Sequence, residues 1–258
     1  MKPISIVFLL ALIVFSCAKK SGETEEEYDP NLNVPAEGFN IEESDPQAIV
    51  LADRVMNAMG GRKAWDDTRY LSWNFFGARK LLWDKKTGDV RIDQPGQNLQ
   101  IIMNVRDMTG KVMKDGQVLT DSVDYYLDQG KKIWINDSYW LVMPFKLKDS
   151  GVTLSYLRED TTMQGEVSDV LKLTFDSVGV TPQNAYDVWI SNEDYLVKQW
   201  AYYRNSTDSV PAFVLPWTDY QQKGEILLSG ERGERDLTEI KVLEEVPEGT
   251  FESFDTSL

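Results

Sequence analysis

The stretch that decides the fold is RYLSWNFFGARKLLWDKKTGDV, residues 69–90. Leu71, Trp73 and Phe75 alternate with Tyr70, Ser72, Asn74 and Phe76, the period-two signature of a strand with two distinct faces. Gly77 interrupts that register, as a bulge or bend would, and Leu81 and Trp83 resume an apolar face. Lys85-Lys86-Thr87-Gly88 reads as a turn, with glycine where a positive φ is least costly. The stretch therefore predicts one long antiparallel hairpin. Its aromatic load needs a large apolar cover, and the rest of the chain supplies one.

Downstream, Leu99, Ile101, Met103 and Val105 alternate with polar neighbours as a further strand. Asp115-Gly116 between residues 111–114 and 117–119 is a two-residue hairpin signal. Residues 121–129 and 131–143 break the strand pattern and read as two helices divided at Gly130. The second carries Ile133, Trp134, Ile135, Tyr139, Trp140, Leu141, Val142 and Met143 around much of its circumference. Such a helix is buried on more than one side or meets a ligand. Strand patterns resume at 152–157, 169–175, 184–190, 195–204, 213–221 and 237–243. Upstream, Asp45-Pro46 opens a helix with the stripe Ala48, Ala52, Val55, Met56 and Met59, ended by Gly60-Gly61, and Trp65 follows in a short linker. The order is one helix, about four strands, a two-helix insertion and about six strands. That is an α+β architecture, an antiparallel sheet with helices on its concave side.

The front of the chain is read as address rather than fold. Residues 1–16 form an export signal: Lys2 opens it, and the apolar run 4–15 is too short to span a bilayer core of ~30 Å. Val14-Phe15-Ser16-Cys17 resembles the bacterial lipobox, and the resemblance implies cleavage before Cys17 and acylation of that residue. Multiple acyl chains anchor stably where a single chain is marginal. Residues 17–43 then read as an acidic, flexible tether, and 44–258 as a single domain able to bury a core. A formal net charge of −15 argues against nucleic acid as a partner, since backbone binding needs clustered cations. With Cys17 the sole cysteine, no disulfide can form within one chain.

The chemistry is narrowed by what is missing from the composition. The chain has no histidine, which removes the Ser-His-Asp and Cys-His arrangements and the usual zinc ligand sets. Cys17 is taken by the anchor, and Gly230-Glu231-Arg232-Gly233 lacks the lysine of a phosphate loop. Asp66-Asp67 near Trp65 could serve as a glycosidase pair, but adjacent carboxylates rarely face one substrate. The acids of 84–89 have no calcium-loop spacing. No catalytic residue, metal or cofactor is assigned. The eight tryptophans spread through almost every element, either filling the core of a curved sheet or lining an apolar cavity.

Residues 56–65 (MNAMGGRKAW), 134–144 (WINDSYWLVMP), 179–184 (GVTPQN) and 246–251 (VPEGTF) resemble LolA-like lipoproteins of Bacteroidota, of the kind labelled outer-membrane lipoprotein-sorting proteins. The resemblance covers roughly residues 46–252. It implies the LolA/LolB fold, an unclosed antiparallel half-barrel with helices as a lid over a cavity for acyl chains. Trp134, Trp140 and Leu141 from the lid, with Trp73 and Phe75 from the first hairpin, are the expected cavity residues. A projecting apolar loop, which LolB has, is expected at 213–217 or 226–228. The implied protein is a non-enzymatic lipoprotein, anchored in the outer membrane and facing the periplasm or the cell surface. Its partners are the membrane, a lipid or acyl-chain ligand, and other envelope proteins. Acidic residues soon after the cysteine can direct such lipoproteins to the surface, but Lys19 and Lys20 intervene here. Two other readings stand beside it: a surface glycan-binding lipoprotein using aromatic platforms, and a structural subunit of an envelope complex.

Overall fold

The computed structural model describes residues 33–176 and 178–256; the export signal, Cys17 and the start of the tether lie outside the described residues. Residues 69–90 make not one hairpin but the first turns of a meander. Strands β1 (Tyr70–Phe75), β2 (Arg79–Asp84) and β3 (Asp89–Gln94) follow one another through short turns. Gly77 sits at the tip of the first turn, where its φ is +69°, and not in a bulge. The meander continues through β4 (Leu99–Asn104), β5 (Gly110–Lys114) and β6 (Gln117–Val118). The last strand, β14 (Leu237–Leu243), pairs with β1, so this sheet has the order β14-β1-β2-β3-β4-β5-β6.

A second sheet holds β7 (Val152–Thr161), β8 (Val167–Phe175), β9 (Ala185–Ser191), β10 (Val197–Tyr203) and β11 (Phe213–Pro216), in the order β11-β10-β9-β8-β7. Residues 213–221, read as one strand, divide at Trp217 between β11 and β12 (Thr218–Lys223). β12 pairs with β13 (Ile226–Glu231) as a separate two-stranded ribbon. All the pairings are antiparallel, and neither sheet closes on itself.

Register explains the core. Trp73 lies opposite Leu81, Leu81 opposite Ile92, and Ile92 opposite Ile101, so one face of the first sheet is apolar across four strands. In the second sheet Leu154 lies opposite Leu173, Leu171 opposite Val188 and Val188 opposite Trp200, and both faces belong to one cluster. Helix α1 (Pro46–Ala58) sends Ala48, Leu51, Ala52, Val55 and Met56 into that cluster. Gly60 ends α1 at φ +111°, and a Cβ there would stand 2.4 Å from the Glu225 carbonyl oxygen. Glycine is needed for this contact with the ribbon. Trp65, expected in a linker, lies in the short helix α2 (Gly61–Asp67) and stacks on Phe145 at 4.4 Å. Lys85 places its ammonium 3.5 Å from the Trp65 ring centre and donates to the Trp65 carbonyl. Burial lowers the Lys85 pKa to about 8.

The two helices expected at 121–143 are one, α3 (Val123–Val142). Gly130 does not divide it. A Cβ on Gly130 would meet Met103 Sδ at 2.9 Å and Ile101 at 3.3 Å, so the residue permits close packing on β4 rather than a break. A buried bidentate pair ties the middle of α3 to β2, with Arg79 Nε 2.7 Å from Asp137 Oδ2 and Nη2 3.0 Å from Oδ1. Near the C-terminal end, fully buried Arg232 donates to the Trp140 carbonyl at 3.0 Å, and its guanidinium lies 3.5 Å from the Trp217 ring centre. A cation there also complements the negative end of the helix.

Part of the tether is docked. Asn33 donates to Asp53 Oδ1 at 2.6 Å beside the buried Lys148–Asp53 pair. Asn40 N–H donates to the Val152 carbonyl, and Asp45 N–H to that of Leu154, which covers the free edge of β7. Asp45 does not cap α1 with its side chain; its Oδ2 accepts instead from Tyr156 N–H at 2.8 Å. No helix among the described residues is long and apolar enough to cross a membrane.

Candidate ligand-binding cavity

A cavity of about 570 Å³ opens between α3 and the inner face of the second sheet. Helix α3 contributes Trp134, Ile135, Tyr139 and Trp140 to its lining, and β2 contributes Trp83. Across from them stand Phe175 at the end of β8, Tyr186 of β9, Tyr202 of β10 and Phe213 of β11. Tyr186 and Tyr202 are cross-strand partners, so the pleat places both on one face. Exposed Lys132, Asn136, Ser150, Gly179, Val180 and Thr181 form the mouth. A site of this volume, mostly apolar with a few polar groups, is of the size that takes a small molecule.

The rings hold one another in place. Tyr186 stacks on Trp200 with centroids 5.3 Å apart and planes 5° apart, and Tyr202 stacks on Phe213 at 5.1 Å. Trp140 meets Trp200 edge-on at 4.8 Å, and Trp83 meets Trp134 edge-on at 5.3 Å. These offset and T-shaped arrangements are the favourable ones for quadrupolar rings.

The depth of the cavity is uncharged. Burial raises the Tyr139 hydroxyl well above its ordinary pKa, with Tyr186 and Asp149 adding to the shift. Burial likewise raises Tyr186, with Tyr202 adding and the hydrogen bond to Asn184 opposing. Charge is confined to the mouth, where Lys146 pairs with Asp149 and Lys132 makes no ion pair or hydrogen bond among the described residues.

Of the five residues expected around the cavity, Trp134 and Trp140 line it. Trp73, Phe75 and Leu141 are buried in the core beneath, 0%, 4% and 1% exposed, and are not among the lining residues. The strand alternation that singled out Trp73 and Phe75 marks a buried face but cannot tell packed core from cavity wall. Trp83, Phe175, Tyr186, Tyr202 and Phe213 were not singled out as cavity residues, because their meeting depends on how five separate strands are placed. Neither candidate for a projecting apolar loop projects: Trp217 and Ile226 are fully buried, and Leu228 is nearly so. Asp66 and Asp67 face solvent in pairs with Arg62 and Lys63. Asp84 is held by Arg69 and by the Lys86 and Thr87 amides. Among the described residues no group of three acidic side chains could hold a metal ion.

No protein-family model matches the chain, and no curated protein matches it in sequence. Ten solved chains are similar to it, among them these three, all at low identity. One is a DUF1329 family protein from Desulfovibrio piger, 14% identical, matched over 81% of this chain and 98% of that one with a TM-score of 0.45. Another is a domain described as outer membrane lipoprotein-sorting from Vibrio parahaemolyticus, 8% identical over 71% of this chain and 88% of that one, TM-score 0.35. The third is a LolA superfamily protein from Nitrosomonas europaea, 9% identical over 78% of this chain and 97% of that one, TM-score 0.30.

Proposed function

We propose that the chain is a non-enzymatic binding protein that carries an apolar ligand, a lipid or an acyl chain, in the cavity beside α3. The observation that carries this reading is the cavity itself: about 570 Å³, walled by side chains from α3 and both sheets, with neutral depths and charge only at the mouth. Burying apolar ligand surface against such walls contributes roughly 25 cal/mol per Å² before ordering costs. The lipobox-like Val14-Phe15-Ser16-Cys17 supports anchoring through acylated Cys17, and outer-membrane lipid or lipoprotein traffic is the setting we propose. The glycan-platform reading needs tryptophan or tyrosine faces open to solvent, and among the described residues Tyr125 is the one such side chain that is exposed, with no second ring of that kind to form a platform.

The test uses the whole chain with Cys17→Ala, exported and purified without detergent. It is expected in the soluble fraction while the unaltered protein partitions with membranes. Native mass spectrometry should show a bound lipid of a few hundred daltons, lost on organic extraction, in keeping with a drug-sized cavity. A ligand-free spectrum, together with no uptake of a fluorescent fatty acid, would overturn the proposal.

A further inference from the structure

The cavity wall is specific in a way that an acyl chain does not require, and we infer that the preferred ligand is a lipid with a flat, carbonyl-bearing ring, a quinone-like head on an apolar chain. This rests on the reading above and narrows it. Eight of the cavity's side chains are aromatic, against four that are aliphatic: Ile135, Val152, Val178 and Val180. Flexible thioether and aliphatic walls suit flexible chains because they repack around them. Aromatic walls present large area with little rotamer freedom, and suit a ligand of fixed shape.

Here the rings are fixed further by one another. Tyr186 is backed by fully buried Trp200, Tyr202 by Phe213, and Trp134 by Trp83. A wall of this kind cannot fold itself around a kinked chain, but a planar ring can lie against it.

Polarity at the mouth points the same way. Lys132 is exposed, lines the cavity and makes no ion pair or hydrogen bond among the described residues, and an ammonium can only donate. The one carboxylate in the lining, Asp149, is already paired with Lys146. A ring carbonyl oxygen at the mouth can accept from Lys132. A fatty acid offers acceptors too, but at the end of a chain with no face to stack.

Three ligands with the same tail separate these properties: a decyl-substituted benzoquinone, decylbenzene and decanoic acid. Each competes for anilinonaphthalene sulfonate bound to the full chain carrying Cys17→Ala. The quinone is expected to displace the dye at about tenfold lower concentration than decanoic acid, with decylbenzene between them, as one stacked face and one satisfied donor together amount to. Tyr186→Leu should weaken the quinone more than decanoic acid and so reduce the ring preference, and Lys132→Met should narrow the gap between quinone and decylbenzene. Decanoic acid equal to or better than the quinone overturns the ring assignment and leaves an acyl-chain carrier standing. Failure of all three to displace bound dye overturns the apolar-ligand reading as well.

Discussion

Arg79→Met probes how α3 is held. The guanidinium makes two short contacts with Asp137, whose side chain is fully buried, and the carboxylate's other partner is Asn136 Nδ2 at 2.9 Å. Methionine preserves most of the packing of the arginine stem and removes the charge. What remains is a buried carboxylate with one neutral donor, and stranding one member of a buried pair costs about 3–5 kcal/mol. Protonation sets a ceiling on that loss. Burial already raises the Asp137 pKa above the ordinary value, and Arg79 is the chief group opposing the shift. Without Arg79 the pKa rises further. An acid whose pKa is higher folded than unfolded gains stability as pH falls from the folded pKa toward the unfolded one. Arg79→Met should therefore lose about 3–5 kcal/mol near pH 8 and recover much of it toward pH 5, with the unaltered protein changing less. Urea unfolding followed by tryptophan fluorescence reads both numbers. The double change Arg79→Met/Asp137→Leu removes both charges and should return to within about 1 kcal/mol of the original stability, or exceed it. A loss near pH 8 below about 1 kcal/mol, or no recovery in acid, refutes the view that this pair secures the helix.

Gly130→Ala should lose about 1–2 kcal/mol in thermal unfolding despite alanine's helix propensity, because its methyl meets Met103 and Ile101 on β4; a gain in stability would show that β4 yields freely. Lys85 has its pKa lowered to about 8 from 10.5 by burial, so the unfolded chain binds more protons between those values, and stability contributed there rises with pH. Lys85→Met should flatten that rise in urea titrations across the window, and an unchanged slope would count against it. Trp140→Ala should cost about 3–5 kcal/mol, since the ring meets Phe75, Phe76, Trp200 and Phe213 and is only 8% exposed. A cost below about 1 kcal/mol would mean that the ring belongs to the cavity wall alone.

The elements that could be read from the sequence are those whose signal is local. Period-two alternation places β1, β4, β8 and β9 within a residue or two, and Asp115-Gly116 marks the β5–β6 turn. Most of the errors share a cause. Gly130 looks like a helix break because glycine is a poor helix former, yet the reason for it lies 27 residues earlier in Met103 and is tertiary. Residues 213–221 are apolar enough to read as one strand, and the local mark of the division is Pro216, directly before Trp217 passes the chain from one sheet to the ribbon. Ile226-Leu227-Leu228 reads as an apolar loop because its cover, from the turn after α1, is distant in sequence. The site divides in the same way. Trp134 and Trp140 stand out because α3 carries too many apolar residues for one buried face. Tyr186 and Tyr202 become neighbours only through the β9–β10 register.

The pairing of β14 with β1 has a consequence for how the molecule comes to exist. Tyr70 lies opposite Leu243 and Phe75 opposite Leu237, so the most aromatic strand of the chain finds one of its two neighbours only after nearly all of the chain is available. Until then one edge of β1 presents unpaired amides and carbonyls beside Trp73 and Phe75, which is a template for another chain. Contacts spanning so much sequence form slowly, because the loop must close before the pairing rewards it. A truncation just before residue 237 should therefore self-associate at concentrations where the whole chain is monomeric. For the same reason, a separate peptide with the sequence of β14 should suppress that association by taking the vacant edge.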